Sequence, residues 1–206
     1  MNYRKPERER PVNKRILILC EGLKTEPNYF RGIRQDKLHS NRLSALQIVV
    51  HDTRTNTAKE LIAEAVELKK EARWERNPYD SVWVVIDRDG YTKHPESFDR
   101  ARATGINIAF SSPCFEYWIL LHFEYTTAPF ANCDEVISRL RQHIPGYEKA
   151  REHYDILKGR METAIERGAK ITAYQKKLED NKLWTFNPYT DVGILVDKLL
   201  HLGIKK

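Results

Sequence analysis

Four short runs of β-forming apolar residues, spaced by segments of helical periodicity, constrain this chain more than any other feature. Arg15 to Cys20 (RILILC) stops at Glu21-Gly22, Ala45 to Val50 (ALQIVV) stops at His51-Asp52, and Ser81 to Ile86 (SVWVVI) stops at Asp87-Arg88-Asp89-Gly90. Ile106 to Phe110 (INIAF) is the fourth. Runs this uniformly apolar read as strands buried on both faces, as in a parallel sheet. Between them, Thr25-Glu26-Pro27 suits a helix start leading into Asn28 to Arg34. Asn56 or Thr57 can cap a second helix carrying Ala58, Leu61, Ile62, Ala65, Val66 and Leu68 on one stripe, and a third from about Pro95 to Ala103 ends at Gly105. The alternation predicts an α/β fold: a mainly parallel four-stranded sheet flanked by helices. In such sheets ligands collect at the carboxyl ends of the strands.

Beyond the fourth strand the pattern changes. With Ser112 as N-cap and Pro113 as first helical residue, Phe115 to Phe123 reads as a dense apolar helix with His122 as a core histidine. Asp134 to His143 and about Tyr147 to Leu178 read as charged helices on either side of Pro145-Gly146. Thr190 then caps a last helix with the stripe Val192, Leu195, Val196, Leu199 and Leu200. The expected layout is a basic arm over 1–14, an α/β core over 15–125 and a helical elaboration over 126–206. A chain of 206 residues that is 41% hydrophobic can bury one sizeable core and an annex, whereas two independent domains would be cramped.

Charge and cysteine usage narrow the class. The formal charge is +6, and four of those charges fall before residue 16, where six basic residues face only Glu7 and Glu9. Such an arm is either a solvated leader or a grip for phosphates. No apolar stretch is long enough for a membrane span or a secretory signal, so a cytoplasmic location is expected. Cys20, Cys114 and Cys133 lack zinc spacing; Cys20 reads as a buried strand residue and the others as ordinary small side chains.

The chemistry concentrates in acids that end strands. Glu21 follows the first run, and Asp87 and Asp89 follow the third. In a parallel sheet these ends share one rim, so the three carboxylates can converge on one cation, and oxygen donors of this kind suit Mg²⁺ or Mn²⁺. Glu116 falls one place beyond the N3 position of a capping box, which leaves a site role as a further metal ligand or as an orienter of a basic group. Glu26 supports the helix start and offers a role behind the ligands, while Lys24 and Arg88 lie in the loops where a phosphate would sit. His51-Asp52 reads as a turn pair. The interleaved basic and aromatic residues of the elaboration, Tyr147, Tyr154 and Tyr174 among them, read equally as a nucleic-acid face, a solvated face or a docking surface.

The order strand, Glu-Gly, helix, strand, helix, strand, Asp-x-Asp resembles the Toprim domain of topoisomerases, bacterial primases and OLD-type nucleases. CEGLKTEPNYF at 20–30, VVIDRDG at 84–90, FSSPCFEYWILLHF at 110–123 and NPYTDVGILVDKLL at 187–200 are similar to the RloB-like family. The resemblance implies a Mg²⁺-dependent endonuclease, encoded as the toxic effector partner of an ATPase in bacterial defence against phage. It maps the family glutamate onto Glu21, as a metal-orienting or proton-transfer acid, and the aspartate pair onto Asp87 and Asp89 as metal ligands. It tilts the substrate toward RNA, tRNA included, over DNA, and leaves self-association open. Two other readings stand beside it. One is a non-catalytic nucleic-acid-binding or ATPase-regulating module. The other is a haloacid-dehalogenase-type phosphatase with Asp87 as nucleophile and Asp89 as acid/base, which leaves Glu21 unused.

Overall fold

A computed structural model describes residues 14–39, 46–53, 57–88, 94–176 and 182–201. Asp89, Asn56 and the basic arm up to residue 13 lie outside the described residues. Lys14, the last arm residue expected from sequence, is the first residue of β1 (Lys14–Cys20). α1 (Thr25–His39), β2 (Leu46–His51), α2 (Ala58–Trp74), β3 (Ser81–Asp87), α3 (His94–Thr104) and β4 (Asn107–Ser112) follow in the expected alternation. The strand order is β2-β1-β3-β4-β5, with β1 to β4 parallel.

Ile16 to Cys20 of β1 and Val82 to Ile86 of β3 are buried throughout, which is why their sequences are continuously apolar and not alternating. Right-handed crossovers require α1 on one face and α2 and α3 on the other. Accordingly, α2 packs on α3 and on β1 and β3, whereas α1 packs on the later short helix α6 (Tyr154–Leu157). Of the two candidate caps for α2, Thr57 accepts the Glu60 N–H at 3.3 Å.

The remaining elements correct the sequence reading in several places. A fifth strand, β5 (Tyr189–Thr190), runs antiparallel to β4, so the sheet has one more strand than expected. Two residues are too short to show a period. Thr190 therefore sits in a strand, although its Oγ1 still accepts the Val192 N–H at the start of α8 (Val192–His201). The apolar helix is shorter than predicted: α4 covers Glu116–Leu121, preceded by Phe115 with no side-chain cap, because Ser112 and Pro113 still belong to the end of β4 and its cis turn. α5 is Cys133–Leu140, and the long charged helix expected from Tyr147 breaks into a turn-rich loop over 141–153, α6, a 3₁₀ turn at Lys158–Arg160 and α7 (Met161–Lys176). Gly146, at φ +74°, supplies a left-handed turn within that loop. Cys114 and Cys133 are not independent small residues: they form a disulfide with a Cα–Cα distance of 5.6 Å, across a sequence gap that shows no spacing motif.

Trp118 of α4 organises the second half of the core. It is fully buried, and a side chain at Gly193 would come within 3.2 Å of its ring, so glycine there lets α8 close on the indole without either having to shift. His122, buried as expected, accepts from the Tyr29 hydroxyl at Nε2 (3.2 Å) and points Nδ1 at the Trp118 and Ile119 carbonyls. No helix among the described residues is long and apolar enough to cross a membrane.

Burial lowers the His122 pKa to about 4 from 6.5. The unfolded chain takes the proton first as pH falls, so this contribution to stability is complete above pH 6.5 and lost as pH falls through about 4. Its size is roughly 3 kcal/mol. Tyr29→Phe leaves Nε2 unpaired and is expected to cost about 1–2 kcal/mol at pH 7 in urea unfolding. A variant as stable as the wild type would show that the Tyr29–His122 pair contributes nothing.

Candidate metal centre at the sheet's switch point

β1 has β2 on one side and β3 on the other, so the chain reverses its direction of travel across the sheet between β1 and β3. Helices on either side of such a point splay apart and leave a crevice beyond the strand ends. Glu21 and Asp87 stand at that rim. The Glu21 N–H continues the β ladder by donating to Val85 O (2.9 Å), which brings the side chain alongside β3. Its carboxylate Oε2 then accepts the Asp87 N–H at 3.1 Å. The expected convergence of Glu21 and Asp87 is present, while Asp89 lies outside the described residues.

Two further acids close in from the helices. Glu26, in the first turn of α1, is buried, and its carboxylate fills the space where a side chain on Gly22 would be. Any residue but glycine at 22 would displace Glu26. Glu116 opens α4 and is 1% exposed. Its Oε1 accepts from the Tyr147 hydroxyl at 3.3 Å, and its Oε2 lies 3.5 Å from the Lys149 ammonium. Thr25 donates to the Lys149 carbonyl at 2.9 Å, pinning the 141–153 loop to the start of α1.

The four acids act on one another. Burial raises the Asp87 carboxyl well above its ordinary range; Glu26, Glu116 and Glu21 add repulsion, and a hydrogen bond from the Phe115 N–H opposes them. Asp87 Oδ1 is closed off from solvent and has no hydrogen-bond partner among the described residues. Glu26 is raised from 4.5 to about 7, first by burial and then by Glu116 and Glu21, with its own N–H and Lys149 pulling the other way. An unpartnered buried oxygen amid mutually repelling carboxylates is the donor set that a hard divalent cation satisfies. Among the described residues the trio of candidate ligand atoms within 4.8 Å of one another is Cys114, Glu116 and Cys133, whose two sulfurs are bonded to each other.

Sequence reasoning identified Glu21, Glu26, Asp87 and Glu116 but missed Thr25, Tyr147 and Lys149 as members of the site. Tyr147 is wholly buried and stacked on His153 at 4.7 Å, so it is not a platform for nucleic acid. Pro145-Gly146 marks a turn in the sequence, but nothing beside it shows where the loop packs. Lys24 is exposed; Arg88 continues the β3–β4 pairing through its N–H to Ser111 O (2.8 Å). His51 hydrogen-bonds the Glu64 carboxylate, and Asp52 is ion-paired to Arg31. Lys149 is a cation that acts on Glu26.

A mainly parallel α/β sheet with a buried carboxylate cluster at its switch point defines an α/β protein with a candidate cation site, an architecture consistent with a Toprim-like fold. Residues 16–199 match the profile of the RloB-like protein family, and the chain belongs to that family. No curated protein and no solved structure matches it.

In the metal-free chain, the folded state keeps the Glu26 proton up to about pH 7, whereas the unfolded chain loses it near 4.5. Its contribution to stability is therefore complete below 4.5 and lost as pH rises through about 7. Glu26→Gln is expected to be more stable than wild type at pH 8 in chelator, by about 1–3 kcal/mol, with the difference closing near pH 5. A Gln variant less stable than wild type at pH 8 would contradict this origin of the shift.

Proposed function

We propose that this chain is a Mg²⁺-dependent, Toprim-type nuclease that cleaves phosphodiester bonds in nucleic acid, RNA and tRNA ahead of DNA. In this reading it is the toxic effector beside an ATPase in bacterial defence against phage. The observation that carries the proposal is the Glu21–Asp87 pair at the switch point, with Asp87 Oδ1 buried and unpartnered among the described residues. Asp87 and Glu21 would hold the ion, together with Asp89 two positions beyond Asp87 in the sequence, and the same oxygen donors suit Mn²⁺. When bound, the ion neutralises phosphate charge, orients the scissile bond and steadies the leaving oxygen.

The chain's own residues supply the rest. Glu26, raised to about 7, can hold or pass a proton near neutral pH. Glu116, fixed by Tyr147, lies 3.5 Å from the Lys149 ammonium. Lys24 and Arg88, on the loops after β1 and β3, would meet backbone phosphates. The phosphatase reading gives Glu21 no task, although its carboxylate binds the Asp87 N–H directly. RNA preference, the ATPase and the defence role rest on likeness to the RloB-like family.

The test incubates wild type and Asp87→Ala with tRNA, single-stranded DNA and duplex DNA, with and without Mg²⁺ and the ATPase. Wild type should cleave only with metal, and Asp87→Ala should lose about 10²-fold or more of the rate while staying folded. Binding without cleavage in both proteins would instead establish the non-catalytic module. No metal-dependent difference on any substrate would overturn the nuclease reading.

A further inference from the structure

Among the described residues, the 141–153 loop joins the helical elaboration to the acidic cluster by charge through Lys149. Lys149 is half-exposed, while its partner Glu116 is buried, so the ammonium sits at the solvent edge of the site and the carboxylate inside it. The backbone is held separately: Thr25 bonds the Lys149 carbonyl, and Tyr147 bonds the opposite oxygen of Glu116. The Lys149 side chain can therefore leave Glu116 without releasing the loop or the glutamate. Its charge also reaches Glu26, as a divalent ion between the same acids would.

We infer that Lys149 is a tethered counter-ion: its ammonium balances the carboxylates until a divalent cation enters, and the displaced ammonium then binds a phosphate of the nucleic acid. This rests on the proposed metal-dependent function and adds an exchange of partners to it. A divalent ion on Glu21 and Asp87 adds positive charge to the same acidic cluster, so it repels the Lys149 ammonium and weakens its hold on Glu116. A flexible four-carbon stem ending in a compact ammonium suits such a swing, and outside the cluster the strongest anion available to it is the substrate backbone.

The signature is a pair of opposite effects. Lys149→Met removes the competitor, so Mn²⁺ should bind the free protein roughly three- to tenfold more tightly by calorimetry. The same variant, with Ca²⁺ in place of Mg²⁺ to prevent cleavage, should bind tRNA more weakly. The slope of log affinity against log salt should then fall by about one contact. Lys149→Arg should retain both wild-type behaviours, and Lys149→Gln should reproduce the Met result if the loss is one of charge. A folded Lys149→Met that binds Mn²⁺ no more tightly than wild type overturns the inference, as does unchanged tRNA affinity. Wild type that binds no Mn²⁺ at all overturns the metal reading itself, which separates the two failures.

Discussion

Pairing β1 with β3 in parallel obliges both strands to end on the same rim, and burial of both faces holds that register, because a slip would set the apolar residues out of line with their packing. With Cys20 opposite Val85, the next residue of β1 is Glu21, and its carboxylate reaches the Asp87 N–H. The strand that must be apolar to fill the core thus delivers an acid to the first position beyond it. Glu26 and Glu116 arrive from the first turns of α1 and α4, and the result is a concentration of negative charge over a dry sheet. Such an arrangement costs stability while it lacks a compensating cation, and the raised carboxyls of Asp87 and Glu26 express that cost.

Much of this was legible in the sequence because the signals were strong and local. Continuous apolar runs ending at Glu21-Gly22 and Asp87-Arg88 can scarcely be anything but buried strands turning into loops. Gly22 proved more specific than a turn signal, since Glu26 occupies the room its missing side chain leaves. Glu116 drew notice because capping explained it poorly. The structure removes the cap altogether, starting α4 at Glu116 itself, and gives the side chain a lysine to orient.

What escaped the sequence depends on distance along the chain. Lys149 and Tyr147 lie in a segment whose charge pattern matches a solvated helix, and nothing local reveals that the Gly146 turn folds it back onto α1 and α4. The Cys114–Cys133 bond and the two-residue β5 are hidden for the same reason: each is defined by a partner remote in sequence. The elaboration is therefore not a separate annex. Through Tyr147 and Lys149, held against Thr25 of α1 and Glu116 of α4, it borders the candidate site that the α/β core begins.

The central claim is that Glu21 and Asp87 form the floor of a divalent cation site. Anomalous diffraction from crystals of the chain soaked in Mn²⁺ tests it most directly. The account predicts a manganese peak bound by the Glu21 and Asp87 carboxylates, with Asp87 Oδ1 among its ligands. A peak elsewhere, or none at the switch point at saturating Mn²⁺, would contradict it.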